Sequence, residues 1–119
     1  DSGHFRPVLE AAVTALAMPD EWLAQRNAIY RQRRDAVLSG MDRIGLSAFR
    51  PSAAIYVWGR TEVGWSSMAF VRHVLTQAGV SLTPGTVFGP HGEGYARLAF
   101  TLPEETLKEA LNRLDDWKE

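Results

Sequence analysis

The sequence contains no cysteine and very little lysine. The absence of cysteine excludes disulfide bonds, thiolate nucleophiles and cysteine-based metal sites, and it fits a reducing compartment, so we expect a cytoplasmic protein. Lys108 and Lys118 are the two lysines among 13 basic residues, and all the others are arginine. Any chemistry that needs a lysine amine is therefore restricted to these two positions.

Long apolar runs and a charge imbalance are also missing. The sequence has no run of about 18 apolar residues, so it predicts no transmembrane helix, and it shows no signal peptide. The net charge of −1 does not indicate nucleic acid or an anionic membrane as a partner. The 119 residues suffice for one soluble domain with a modest core. The start at Asp1-Ser2-Gly3, without Met, predicts a piece of a longer polypeptide.

Apolar residues at helical spacing predict two helices before residue 45. Ser2 is the expected N-cap of the first helix, and Met18-Pro19-Asp20 separates it from a longer helix that runs from Glu21 to about Met41. Gly45 ends this segment. The predicted apolar faces are Phe5, Leu9, Ala12 and Leu16 in the first helix, and Leu23, Tyr30, Val37 and Met41 in the second. We interpret the arginines on the polar face of the second helix as a solvated surface rather than a phosphate site. These arginines are Arg26, Arg31, Arg33 and Arg34.

Two more helices and a small sheet are predicted after residue 45. The strands are expected at Leu46 to Phe49, Ala54 to Gly59, Val80 to Thr83 and Tyr95 to Thr101. Ser66 or Ser67 caps the third helix and Gly79 ends it. The fourth helix follows Thr101-Leu102-Pro103-Glu104, which resembles a capping box with the proline inside the first turn. The predicted apolar faces are Met68, Val71, Val74, Leu75 and Ala78, and then Leu107, Ala110, Leu111, Leu114 and Trp117.

The resulting element order is ααββαββα. This order predicts an α+β fold in which helices cover a small sheet of about four strands. We expect one domain over residues 1–119, with residues 1–45 as a helical lead-in and residues 46–119 as the α/β sandwich body. The first helix is expected to stand apart from this body.

Most residues capable of chemistry have an ordinary structural interpretation. The histidines lack metal-ligand spacing, so we interpret them as surface residues and expect no metal; they are His4, His73 and His91. Glu104 and Glu105 lie in the first turn of a helix, where the helix dipole favours carboxylates. The glycines from Gly85 to Gly94 do not form a phosphate-binding motif, and we expect them to make a tight loop with positive φ.

Arg97 is the exception, because it stands in a predicted strand among apolar residues. Strand alternation places Tyr95, Arg97 and Ala99 on one face and Ala96, Leu98 and Phe100 on the other. A guanidinium in such a place requires an anionic partner, and it can hold a carboxylate through two parallel hydrogen bonds. The residues alone leave two partners open, which are a carboxylate of the protein itself and a bound substrate.

Several motifs resemble one enzyme family. Pro84-Gly85-x-x-Phe88-Gly89 followed by Gly92-Glu93-Gly94-Tyr95-x-Arg97 resembles the C-terminal small domain of class I/II, fold-type I, pyridoxal-phosphate-dependent aminotransferases. Pro51 with Ile55-Tyr56-Val57-Trp58 resembles the family's Pro-x-Gly-x-Phe-Tyr-x-Trp hairpin. The arginine-rich helix resembles the segment that leads from the large domain into the small one. The similarity covers essentially the whole chain, and within the family it is greatest to aspartate-aminotransferase-like enzymes that act on diaminopimelate-type or other dicarboxylic substrates.

The resemblance implies a role for Arg97 and a set of partners. It identifies Arg97 as the arginine that binds the α-carboxylate of amino-acid and 2-oxo-acid substrates. It also implies pyridoxal 5′-phosphate as cofactor of the full-length enzyme, the large domain of the same polypeptide as partner, and a homodimer. Two residues depart from the family pattern. Ala53 stands where glycine is usual, so we expect a slightly different hairpin entry, and Ala99 replaces a common serine without consequence.

The family's Schiff-base lysine has no counterpart here, since neither Lys108 nor Lys118 matches its motif. The residues that bind the cofactor's pyridine nitrogen and phosphate are missing as well. The chain alone is therefore expected to be inactive, with no catalytic residue of its own. The alternatives are a free-standing α+β module that binds an amino acid for regulation, and the same domain from a pyridoxal-phosphate-dependent lyase or a transcription regulator.

Overall fold

The computed structural model describes residues 3–116 as four helices packed on one sheet. The helices are α1 (Arg6–Leu16), α2 (Asp20–Met41), α3 (Ser67–Ala78) and α4 (Glu104–Asp116). The strands are β1 (Leu46–Phe49), β2 (Tyr56–Thr61), β3 (Thr83–Pro84) and β4 (Tyr95–Ala99). This order confirms the predicted ααββαββα arrangement and the α+β class. Ser2, Trp117 and Lys118 lie outside the described residues.

The sheet has the strand order β1-β2-β4-β3, and each neighbouring pair is antiparallel. Short 3-10 turns precede β1 and connect β3 to β4, at Asp42–Ile44, Gly85–Phe88 and Pro90–Gly92. Trp58 of β2 is directly opposite Arg97 of β4, and Thr83 of β3 is opposite Arg97 on the other side. Arg97 therefore lies in the middle of the sheet, with a paired strand on each side.

Three strand predictions were wrong in their bounds. The predicted strand from Ala54 to Gly59 begins at Tyr56 instead and continues to Thr61, because Arg60 and Thr61 pair with β1. The predicted strand from Val80 to Thr83 is reduced to Thr83–Pro84. Pro84 has no N–H to extend the ladder, and a 3-10 turn follows it at once. Strand β4 ends at Ala99 rather than Thr101.

The core lies between the inner face of the sheet and the helices α2, α3 and α4. Its buried side chains are Val37, Met41, Ile44, Leu46, Val57, Phe70, Val71, Val74, Ala78, Leu82, Ala96, Leu98, Phe100, Leu107 and Leu114. The predicted face of α3 was partly wrong, since Met68 and Leu75 are each 49% exposed and Phe70 is buried instead. The buried row of α3 begins one residue earlier than predicted, at Ser67, and a serine gives no apolar signal in the sequence.

The N-terminal part of the chain contributes little to this core. Helix α1 buries none of its residues, as expected for a helix that stands apart. In α2 the predicted face is buried at Val37 and Met41 but not at Leu23, which is 47% exposed. The first half of α2 therefore extends beyond the body. Within residues 3–116, no helix is long and apolar enough to cross a membrane.

Local signals set both ends of α3 but not the start of every helix. The N-cap of α1 is Phe5, not the predicted Ser2, and the N-cap of α2 is Pro19; neither makes a side-chain capping hydrogen bond. Ser66 caps α3, since its hydroxyl accepts from the N–H of Ala69 at 3.2 Å, and Gly79 ends the helix with φ of 65°. The predicted capping box before α4 was wrong. The helix begins at Glu104, and the carbonyl of Pro103 accepts the N–H of Leu107, so Pro103 precedes the first turn rather than lying inside it.

Candidate functional site

The outer face of the sheet, away from the core, carries the candidate site. Alternation along β2 and β4 places Val57 and Leu98 in the core and turns Trp58, Tyr95 and Arg97 to the outer face. Tyr56 lies on the same outer face, opposite Ala99. The face that the sequence predicts for Arg97 is therefore the one that the helices leave uncovered.

Arg97 is held between two aromatic rings. Its Cζ lies 4.1 Å from the centre of the Tyr56 ring and 4.5 Å from the centre of the Phe88 ring, above the face of each. Within the described part of the chain, Tyr56 and Phe88 make no ring contact with each other, so the guanidinium lies between them. Cation–π contacts of this kind are attractive, more so where water is excluded.

The internal ion pair that the sequence left open for Arg97 is not present among residues 3–116. The ion pairs there involve other basic residues, and the Arg97 side chain makes no hydrogen bond to these described residues. The side chain is half-buried. A guanidinium that contacts two aromatic rings and no described carboxylate keeps its N–H groups available to an external anion.

Further aromatic contacts fix this arrangement. The rings of Trp58 and Tyr95 are stacked at a centroid distance of 5.6 Å and an interplanar angle of 21°. Phe88 meets Trp58 edge to face at 5.6 Å. Both geometries are favourable for aromatic pairs. Phe88, the ring that contacts Arg97 from the loop side, is therefore itself held by a strand residue.

The glycine-rich loop that carries Phe88 uses its glycines for two different purposes. Gly89 and Gly94 have positive φ, of 117° and 77°, as predicted. Gly85 and Gly92 do not, so the expectation of positive φ was wrong for them. Their backbones pack directly against each other, and a Cβ on either would collide with the carbonyl of the other. We call this backbone contact between Gly85 and Gly92 the glycine crossing; it brings together two parts of the loop between β3 and β4.

Ser67 joins this loop to helix α3. Its buried hydroxyl donates to the carbonyl of Gly92 at 3.0 Å and accepts from the N–H of Tyr95 at 3.1 Å. The carboxylate of Glu93 accepts the backbone N–H of Ser67 at 2.9 Å, at the N-terminus of the helix. Ser67 was considered as a helix cap from the sequence, but its part in positioning the glycine loop was not foreseen.

The other candidate residues remain apart from Arg97. His4 and His91 are exposed, and His73 is half-buried with its ring 5.0 Å from that of Trp65. Within residues 3–116, no group of three or more histidine and acidic side chains could hold a metal ion. Glu105 is exposed in the first turn of α4, as expected.

Lys108 lies on α4, in the helical layer that covers the inner face of the sheet. Its Nζ is 2.7 Å from a carboxylate oxygen of Glu104, and its side chain is 66% exposed. The hydrogen bond that Lys108 donates to the Glu104 carboxylate raises the pKa of Lys108, and the same bond lowers the pKa of Glu104. An exposed amine with a raised pKa is the opposite of a buried amine prepared for reaction with an aldehyde.

Two arginines of α2 depart from the predicted solvated face. Arg33 donates to the carbonyl of Thr101 at 3.1 Å, and Arg34 donates to the carbonyl of Pro51 at 3.2 Å with its side chain only 14% exposed. Arg34 thereby attaches the segment before β2, residues 51–55, to α2; we call this segment the hairpin entry. In that entry the left-handed residue is Ala54, with φ of 69°, and not Ala53, where the family usually has glycine.

Nothing in the sequence pairs Tyr56 or Phe88 with Arg97. Tyr56 is separated from Arg97 by 41 positions in the numbering, and the contact follows only from the β2–β4 register. Phe88 belongs to a loop whose path depends on the contact between Gly85 and Gly92. The one sequence signal for this pair is that both residues are aromatic.

Comparison with known proteins assigns the chain to an enzyme family. Residues 2–114 match the family model described as aminotransferase class I and II. The LL-diaminopimelate aminotransferase of Oleidesulfovibrio alaskensis is 46% identical over 114 residues, which are 96% of this chain and 29% of that protein. The chain therefore spans less than a third of the length of this curated relative.

Solved structures share the fold of this chain. An alanine aminotransferase from Pyrococcus furiosus superposes with a TM-score of 0.80 at 34% identity, over 89% of this chain and 28% of that one. BacF from Bacillus subtilis superposes with a TM-score of 0.81 at 28% identity, over 96% of this chain and 30% of that one. With the family model matching nearly every residue, the chain belongs to the aminotransferase class I and II family.

Proposed function

We propose that this chain is the small domain of a pyridoxal-phosphate-dependent aminotransferase and that Arg97 binds the α-carboxylate of its substrates. The observation that carries the proposal is a strand arginine on an open sheet face, held by two aromatic rings and without a protein carboxylate among residues 3–116. A guanidinium matches a carboxylate with two parallel hydrogen bonds. The α-carboxylate is common to amino acids and 2-oxo acids, so one site serves both substrates.

The contribution of Arg97 to the reaction is orientation. A substrate held by its α-carboxylate has its Cα–H bond fixed relative to the groups that react with it, and such positioning lowers the barrier substantially. Pyridoxal 5′-phosphate supplies the electron sink when it is bound. The described residues do not fit covalent attachment of that cofactor, because Lys108 is an exposed, ion-paired amine on the far side of the sheet. We therefore propose that the cofactor is held by residues outside this sequence.

We extend the proposal to the whole protein. The relative from Oleidesulfovibrio alaskensis is named an LL-diaminopimelate aminotransferase, which supports an amino acid with a second carboxylate as the substrate. The large domain of the same polypeptide and a second copy of that polypeptide are the proposed partners. Residues 1–45 are proposed as the helical lead-in to the body at residues 46–119.

A hybrid enzyme tests the role of Arg97. The matching segment of the Oleidesulfovibrio alaskensis enzyme is replaced by this chain, and transamination of LL-diaminopimelate is measured. We expect activity from the hybrid and a loss of more than about 100-fold in kcat/KM for Arg97→Gln, because a bidentate charged contact is removed. Arg60→Gln is the matched control, since Arg60 is an exposed arginine on the same face, opposite Tyr95. Equal kcat/KM values for both variants contradict the proposal.

Two measurements on the 119-residue chain test the rest of the proposal. Added pyridoxal phosphate is expected to give no specific internal-aldimine band, and a band abolished by substitution of Lys108 or Lys118 contradicts the assignment of the cofactor to other residues. Calorimetry with free amino acids distinguishes the alternative function. Tight binding by the chain alone favours a free-standing regulatory module over part of an aminotransferase.

A further inference from the structure

We propose that Tyr56 and Phe88 are positioning residues for Arg97, which restrict carboxylate binding to the edge of its guanidinium group. The inference rests on the proposed carboxylate-binding role of Arg97 and adds to it which side chains set the geometry. Its basis is the pair of ring contacts, at 4.1 Å and 4.5 Å from Cζ, contributed by two different parts of the chain.

The geometry of a planar cation between two rings limits how an anion can approach. The N–H bonds of a guanidinium all point outward in its own plane. The Cζ of Arg97 lies over the Tyr56 ring and over the Phe88 ring, and we infer that these rings close the two faces of the guanidinium and leave its edges open. A carboxylate that reaches Arg97 is therefore coplanar with the guanidinium and forms the two parallel hydrogen bonds of a bidentate pair.

The rings also reduce the number of conformations that Arg97 can adopt. A free arginine side chain carries about 2 kcal/mol of rotamer entropy, which is lost when it binds a ligand in one geometry. The contacts with the two rings select that geometry before the ligand arrives. Preorganisation of this kind increases affinity by lowering the entropic cost of binding.

Tyr56 reaches Arg97 because of the strand register. Tyr56 is opposite Ala99, and Arg97 is the diagonal neighbour two residues away on β4. Diagonal neighbours are within reach of aromatic and long side chains.

Phe88 is positioned from the loop side by a chain of contacts. Its ring meets that of Trp58 edge to face at 5.6 Å. Its backbone lies in the 3-10 turn that begins at Gly85, and Gly85 is packed against Gly92. The carbonyl of Gly92 accepts a hydrogen bond from the buried hydroxyl of Ser67. The position of Phe88 is therefore linked to the N-terminus of helix α3.

Enzyme kinetics on the hybrid described above test this role. We expect Tyr56→Leu and Phe88→Leu each to raise KM for the amino acid and for the 2-oxo acid by about tenfold, in line with the strength of a partly desolvated cation–π contact. Tyr56→Phe restores the ring without the hydroxyl and is expected to restore KM. A merely structural effect would instead shift the urea midpoint and would not distinguish Leu from Phe at this position.

Nuclear magnetic resonance on the 119-residue chain gives a second measurement that does not require activity. The Hδ and Hε protons of Arg97 are expected to be shifted upfield by the two rings, and acetate is expected to perturb the Arg97 Nε–Hε signal. Tyr56→Leu should remove part of the upfield shift and weaken acetate binding, whereas Arg60→Gln should change neither.

The outcomes separate the positioning role from the proposed function. If Arg97→Gln abolishes binding while Tyr56→Leu and Phe88→Leu remain within twofold of the parent, the positioning role is wrong and carboxylate binding stands. If Arg97→Gln itself leaves kcat/KM and acetate binding unchanged, the proposed function fails. If the Leu variants weaken binding and Tyr56→Phe does not, both are supported.

Discussion

Gly85 and Gly92 pack backbone to backbone, so two parts of the loop between β3 and β4 touch at a point where no side chain fits. A Cβ added at Gly92 would overlap the carbonyl carbon and oxygen of Gly85, and a Cβ added at Gly85 would also lie 2.9 Å from the carbonyl oxygen of Tyr95. All these neighbours are backbone atoms that cannot rotate away. The crossing sets the path of the residues between the two glycines, which include Phe88.

Substitution of Gly92 by alanine is expected to destabilise the fold. The loop must open to accept the methyl group, and overpacking of this kind costs about 1–3 kcal/mol. Urea unfolding followed by circular dichroism measures the change. Gly3→Ala is the control, because the space around Gly3 contains no heavy atom within 4 Å of the added Cβ. An unchanged urea midpoint for Gly92→Ala would show that the glycine crossing is absent in solution.

Loss of the Ser67 hydroxyl is expected to cost more stability than loss of the neighbouring cap. Ser67→Ala leaves the carbonyl of Gly92 and the N–H of Tyr95 without their partner in a buried place, at a cost of about 1–3 kcal/mol per unsatisfied group. Ser66→Ala removes an exposed N-cap bond worth about 1 kcal/mol. The free energies of unfolding of the two variants decide the point, and an equal or smaller loss for Ser67→Ala contradicts it.

Ala54 and Ala53 are expected to respond in opposite directions to the same substitution. Ala54 has φ of 69°, where a Cβ costs about 1–2 kcal/mol. Ala54→Gly removes this cost but increases the conformational entropy of the unfolded state, and we expect the sum to be a gain in stability. Ala53 is not in the left-handed region, and Ala53→Gly should destabilise by about 0.5–1 kcal/mol. Thermal unfolding of the two single variants measures whether each substitution raises or lowers stability. A gain from Ala53→Gly, or a loss from Ala54→Gly, would refute this conformation of the hairpin entry.

Asp35 is expected to titrate below its ordinary range. The hydrogen bond from Arg34, at 2.8 Å, is the largest cause that lowers the pKa of Asp35, and Arg50 at 2.9 Å adds to it. A carboxyl group whose pKa is lower in the folded state stabilises the fold above the unfolded pKa, and that contribution is lost as the pH falls below about 4. Carboxyl-carbon resonances recorded against pH give the titration midpoint.

Three arginine variants identify the cause of that shift. Arg34→Gln should raise the titration midpoint of Asp35 most, and Arg50→Gln should raise it less. Arg31→Gln is the control, because Arg31 lies on the same helix and makes no ion pair among residues 3–116. A midpoint that does not move in Arg34→Gln would mean that the ion pair is absent in solution.

Local features of the sequence predicted the element order and several boundaries. The bounds of β1, the cap at Ser66 and the left-handed stop at Gly79 depend on a few adjacent residues and were confirmed. The extent of β2 and β3 depends instead on which distant strand pairs with them, and those predictions were wrong. The burial of Ser67 could not be predicted for a related reason. Serine is a polar residue and gives no apolar signal, and the hydrogen-bond partners of Ser67 are 25 and 28 residues away.

The same distinction applies to the site. Arg97 stood out because a cation in an apolar strand is anomalous by itself. Its contacts with Tyr56 and Phe88 could not be predicted, because one requires the β2–β4 register and the other requires the loop to cross at Gly85 and Gly92. A single sequence indicates which residue needs a partner and not which residues position it.

Helix α1, which buries none of its residues, has a consequence for how the chain unfolds. An isolated helix of 11 residues is only marginally stable in water, because nucleation is costly and few hydrogen bonds follow it. The cooperative folding unit is therefore smaller than the polypeptide and consists of the sheet with the helices packed on it. Amide hydrogen exchange should separate the two parts, with the α1 amides exchanging through local opening and the β2 and β4 amides only through global unfolding.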